Sequence, residues 1–132
     1  MGKRSTSRRL AMQALYQADL ANSEIATALE NVTEGEPFIP ETIEFATALA
    51  EPCWQQRADL DKLISEFSID WPIDRIGKVD RSILRLAFYE LKLGETPRSV
   101  IINEAVELAK KYSSAEASRF INGILGAFVK QE

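Results

Sequence analysis

Apolar residues recur three and four apart along nearly all of the chain, the spacing of one helix face. Leu10, Ala11, Ala14, Leu15 and Ala18 make the first stripe, with Arg8, Arg9, Gln13 and Gln17 away from its centre. Ser5 or Ser7 is placed to cap its start. Ile25, Ala28, Leu29 and Val32 allow a short second helix, which Gly35-Glu36-Pro37 ends. Pro40 opens a long helix that reaches Phe67, and Pro52 inside it predicts a kink or split near residue 51. Asp70-Trp71-Pro72-Ile73 restarts the chain as a short helical turn, with acids placed to cap helix starts, and it stops near Gly77.

Asp80 to Leu93 is the clearest helix, with Ile83, Leu84, Leu86, Ala87 and Leu91 inward and Gly94 at its end. Thr96-Pro97 opens the next, which carries Val100, Ile101, Ala105, Leu108, Ala109 and Tyr112. Ser113 with Glu116 spells a capping box for the last helix. The stripe there is Phe120, Ile121, Ile124, Leu125 and Phe128, and Gly123 and Gly126 would admit a close neighbour. No segment reads as a convincing strand. The pattern predicts an all-α fold of about six to seven helices, one domain over residues 1–132.

Charge changes this picture at one end only. Lys3, Arg4, Arg8 and Arg9 precede the first acid, Asp19, while the whole chain carries −4. An acidic protein with one basic end makes any polyanion contact local. That end runs into the first stripe without Pro or an internal Gly, so the charge is mounted on a structured element. Acid-free and amphipathic, residues 1–18 also look like a transit segment, but the stripe from Leu10 argues that they join the core. Arg8 lies one helical turn from Arg4, so the pair could follow one phosphate backbone; a solvated end is the plain alternative. Tyr16 is either a base-stacking ring or a boundary tyrosine. Arg119 and Phe120 pose the same choice, and Phe120 also fits the core stripe.

Catalysis finds little to work with. Histidine is absent, which removes the commonest general base and the commonest zinc ligand. Cys53 is alone, so no intrachain disulfide or cysteine cluster forms. Asp59 and Asp61 are two apart and do not face each other on a helix. Gly77-Lys78 lacks the upstream glycine of a phosphate loop. No apolar run approaches the roughly 18 residues of a membrane span. A non-enzymatic, cytoplasmic protein without metal or cofactor is expected. Arg81, Arg85, Tyr89 and Lys92 share one face beside Asp74 and Asp80, either a protein-docking surface or a salt-bridged solvent face.

Three stretches go beyond generic helices: RRLAMQALYQ (Arg8 to Gln17), VDRSILRLAFYEL (Val79 to Leu91), and INEAVELAKKY with RFINGIL (Ile102 to Tyr112, Arg119 to Leu125). In this order they resemble the NusB family of bacterial transcription antitermination factors. The resemblance covers nearly the whole chain and is weakest over residues 20–40. It implies two small packed helical bundles, and a partner, the ribosomal protein NusE. It also implies joint binding of single-stranded boxA RNA in ribosomal RNA leaders, which helps RNA polymerase read through terminators. The RNA contacts it implies are Lys3, Arg4, Arg8, Arg9, Gln13 and Tyr16, joined by Arg119 and Phe120. The partner surface it implies is Asp74, Asp80 and the helix after it, with Arg81, Arg85 and Tyr89; Tyr16 is also a candidate there.

Ala117 stands where an acid is expected, and Pro52 where a small glycine is common. The four cations are broken by Ser5-Thr6-Ser7, which suggests weak RNA affinity for the chain alone. A related domain also opens certain ribosomal RNA cytosine methyltransferases, a reading that requires a catalytic domain beyond Glu132. A helical adaptor with an incidental basic end is the alternative from another class.

Overall fold

The computed structural model describes residues 2–69 and 71–131; the expected capping role of Asp70 lies outside the described residues. Among these residues the chain forms seven α-helices and one 3₁₀ turn (Ile73–Arg75), with no strand. The helices are α1 (Lys3–Ala21), α2 (Ile25–Thr33), α3 (Pro40–Gln55), α4 (Arg57–Phe67), α5 (Lys78–Leu93), α6 (Arg98–Tyr112) and α7 (Ala115–Lys130). They divide into two compact units, Met1–Gln56 and Arg57–Glu132.

In the first unit α1 packs on α2 and α3, and α2 on α3. The buried face of α1 is Leu10, Ala11, Ala14, Leu15 and Ala18, as the spacing predicts. Three of these five are alanines, and short side chains let neighbouring helices come close. The buried residues of the helices packed on α1 are Ala28 and Leu29 of α2 and Thr42, Ala46, Leu49, Ala50 and Cys53 of α3. Ser7 is no cap: it is buried, and its hydroxyl donates to Thr42 O at 2.8 Å, tying α1 to α3. The residue before α1 is Gly2, and no side chain caps the helix there. Asn22 ends it in the left-handed conformation that asparagine tolerates, with its N–H on Ala18 O.

Pro52 does not break the helix at residue 51. It sits in the last turn of α3, where its missing N–H removes one bond, and the helix ends at Gln55.

In the second unit α5 is the central element, packed by α4, α6 and α7. Ten successive residues, Ser82 to Leu91, are buried, so this stretch has no outer face. Gly94 closes α5 at φ 72°, and its N–H reaches Glu90 O. Phe67, Phe88 and Phe128 pack ring to ring across α4, α5 and α7, the closest centroids 5.1 Å apart.

Two local expectations shift. The cap of α7 is Ser114, whose hydroxyl accepts from Ala117 N at 2.9 Å; Ser113 instead ends α6. Both serines precede a run of helix formers, but only Ser114 has the extended backbone of a cap. Gly123 and Gly126 face open space, so no neighbour uses the room they leave.

Candidate nucleic-acid interface

The basic end forms the first turns of α1. No acid stands in the first turn and no side chain caps it. Lys3 and Arg4 therefore add their charge to the positive end of the helix dipole, a local field that attracts anions. Arg4 is exposed, and its guanidinium carbon lies 3.7 Å from the centroid of the Phe45 ring. Arg9 lies 5.8 Å from the Phe38 ring and donates to Gln13 Oε1 at 3.2 Å. Such stacking holds a guanidinium plane in place without neutralising its charge. Lys3 meets Glu41 at 3.5 Å, with both side chains largely exposed, a pair that solvent weakens. An open cleft of about 360 Å³ lies here, lined by Lys3, Arg4, Ser7, Glu41, Glu44, Phe45 and Ala48.

Arg8 does not belong to this surface: it is 5% exposed. Helical period places it on the stripe of Ala11, Met12 and Leu15, all buried, so the expected alternation of Arg4 and Arg8 along one phosphate backbone fails. Gln13 and Tyr16 are half-buried and continue the face of Arg9 at i+4 and i+7. The structure thus groups Lys3 and Arg4 at the start of α1, and Arg9, Gln13 and Tyr16 along one face. Phe38 and Phe45, which hold the arginines, were not legible as site residues; their pairing is tertiary.

In the second unit, adjacent Arg119 and Phe120 turn different ways. Arg119 is exposed and lines an open groove of about 520 Å³ between α6 and α7, with Asn103, Lys110 and Asn122 among its other walls. Phe120 is not in the buried stripe. It is half-buried and meets the ring of Trp71, with centroids 6.3 Å apart and planes at 79°.

The residues expected to receive a protein partner also separate. Asp74 is exposed in the 3₁₀ turn. Asp80 is half-buried in the first turn of α5; burial raises its pKa above the ordinary aspartate value, against a hydrogen bond from Ser113 that lowers it. Arg81 Nη2 donates to Ile73 O at 2.9 Å and ties α5 to the 3₁₀ turn. Arg85 is 3% exposed, and its Nε and Nη2 donate to Asp61 Oδ1 and Oδ2, both at 2.7 Å. Tyr89 is buried as well. Arg85 and Tyr89 are therefore corrected from surface to interior residues, because α5 is enclosed on that side by its neighbours.

Among the described residues no three His, Cys, Asp or Glu side chains gather to hold a metal, and no helix is long and apolar enough to cross a membrane. These features define an all-helical factor with a cationic, aromatic-backed helix start. The NusB family model matches residues 5–130. The chain belongs to the NusB family, and its curated relatives are transcription antitermination proteins. It is 43% identical to the NusB of Symbiobacterium thermophilum over 137 aligned positions, covering 96% of this chain and 89% of that one. The NusB of Myxococcus xanthus is 42% identical, with 95% and 93% covered. Among solved structures, the antitermination factors NusB and NusE in complex with double-stranded RNA match with a TM-score of 0.91 and 29% identity, covering 100% of this chain and 99% of that one.

Proposed function

We propose that this chain binds boxA RNA of ribosomal RNA leaders together with NusE, and so helps RNA polymerase read through terminators. It acts in the cytoplasm by binding alone, without catalysis or a cofactor. One observation carries this reading. The start of α1 violates the usual charge rule for a helix N-terminus, and aromatic rings hold its arginines outward. Charge placed against the fold's own preference is charge kept for a ligand. Lys3, Arg4 and Arg9 meet phosphates, while Gln13 and Tyr16 meet bases or the partner. Arg8 has no phosphate role, since it is buried. Arg119 and Phe120 on α7 are assigned further RNA contacts. Asp74, Asp80 and Arg81 are assigned to NusE.

The solved relative with NusE holds double-stranded RNA, so its ligand supports RNA binding more directly than single-strand preference. Replacing Arg4 and Arg9 with Ala tests the reading. Affinity of the NusE complex for boxA RNA should fall at least about tenfold, with the thermal unfolding midpoint nearly unchanged. Unchanged affinity would favour a helical protein–protein adaptor instead.

A further inference from the structure

The second unit carries two aromatic groupings of different character. Phe67, Phe88 and Phe128 form the first, with Phe88 and Phe128 buried, and it belongs to the core. Trp71 and Phe120 form the second, and Trp71 is 49% exposed. An edge-to-face contact covers one face of one ring. Three of the pair's four ring faces are therefore left uncovered by the contact itself.

The backbone beneath Trp71 is fixed. Ser68, itself buried, donates its hydroxyl to Trp71 O at 3.0 Å, and Trp71 N donates to Ser68 O at 3.3 Å. One residue thus engages both polar backbone groups of Trp71. A large ring on a pinned backbone has little ordering left to lose on binding. Cations adjoin the pair in the chain: Arg75 is exposed at the end of the 3₁₀ turn after Trp71, and exposed Arg119 precedes Phe120. Two acids are also nearby in sequence: Asp70, directly before Trp71, and Asp74, which is exposed. Open ring faces, with guanidinium-bearing residues adjoining in the chain, match the chemistry of an unpaired nucleobase and its phosphates.

We propose that Trp71, with Phe120 at its side, is a stacking platform for an unpaired RNA base. This rests on the RNA-binding reading above and adds Trp71 to it. A base lies on an open ring face, and Arg75, four residues after Trp71, meets an adjoining phosphate.

The test titrates single-stranded boxA RNA into the NusE complexes of wild type, W71A and W71F, following RNA anisotropy and tryptophan emission. Stacking quenches Trp71, so the wild type should lose emission that W71F, keeping only Trp54, does not lose. W71A should bind about tenfold more weakly, and W71F, which retains a ring, should recover most of that loss. A blunt duplex of the same sequence should leave Trp71 emission unchanged, because its bases are already stacked. F120A gives a second route to the same loss if W71A folds poorly.

Equal RNA affinity in wild type and W71A, or equal quenching in wild type and W71F, overturns the platform and leaves the wider reading standing. Loss of NusE binding in W71A, with its affinity for RNA alone unchanged, makes the pair a protein-docking surface and also overturns it. If the wild-type complex binds no RNA, the wider reading has failed and the platform falls with it.

Discussion

At the start of α7, Ser114 caps the helix and Glu116 stands in the first turn, where the helix dipole favours an acid. At the start of α1 nothing caps the helix, and Lys3 and Arg4 occupy the positions an acid would suit. The same contrast holds for arginines. Arg85 in the second unit is buried and locked bidentately to Asp61; Arg4 in the first is exposed and leans on an uncharged ring. One region follows the rules for a stable helix start and spends its arginine on the fold. The other departs from those rules, with Lys3 in only a solvent-exposed pair with Glu41 and Arg4 resting on a ring. Counting cations would treat Arg4, Arg8 and Arg85 alike; burial and partner separate them.

The contrast is most exposed to failure at Arg85. Arg85→Ala leaves Asp61 without its bidentate partner inside the α4–α5 seam, and should cost about 3 kcal/mol in urea unfolding. A cost under about 1 kcal/mol would make this an ordinary surface pair and erase the contrast. Ser114→Ala removes the cap of α7 and should cost about 1 kcal/mol, read the same way.

Gly2→Asp makes the start of α1 conform. Gly2 has extended backbone with open space at its Cβ position, so an aspartate fits without strain. Stability should rise by about 0.5 kcal/mol while RNA affinity falls, since the new carboxylate competes with phosphate for Lys3 and Arg4. A gain in both would deny that α1 gives up stability for binding.

The smallest effect concerns Asp80. Its pKa is raised in the fold by burial, so the native state holds the proton more tightly than the unfolded chain. The contribution of Asp80 to stability is therefore greatest at low pH and declines as pH rises through the carboxyl range upward from about 4. Asp80→Asn removes that decline. Its stability relative to wild type should grow from pH 4 to pH 7 in thermal unfolding, and the opposite trend would mean that the Ser113 bond outweighs burial.

Much of the architecture was written in local pattern. Helix spacing located the buried face of α1, and Gly94 marked the end of α5, because both depend on neighbours in the chain. What failed depended on distant residues. Arg85 looked external because its partner, Asp61, lies 24 residues away on α4. Phe120 matched a core spacing, yet it borders the stripe and meets Trp71. Arg8 was misjudged for a different reason: its spacing with Ala11, Met12 and Leu15 was legible, but a charged side chain was assumed to point outward. At the candidate site the cations of α1 were readable, whereas Phe38 and Phe45, which hold two of them, reach α1 only through tertiary packing.

The most direct test is the salt dependence of boxA RNA binding by the NusE complex, compared between wild type, Arg4→Ala and Arg8→Ala. Each phosphate contact to a single strand adds about −0.7 to the log–log slope. Arg4→Ala should make the slope shallower by about 0.7, and Arg8→Ala should leave it unchanged while lowering stability. A slope that ignores Arg4, or that follows Arg8 instead, would contradict the assignment of the exposed start of α1 to RNA.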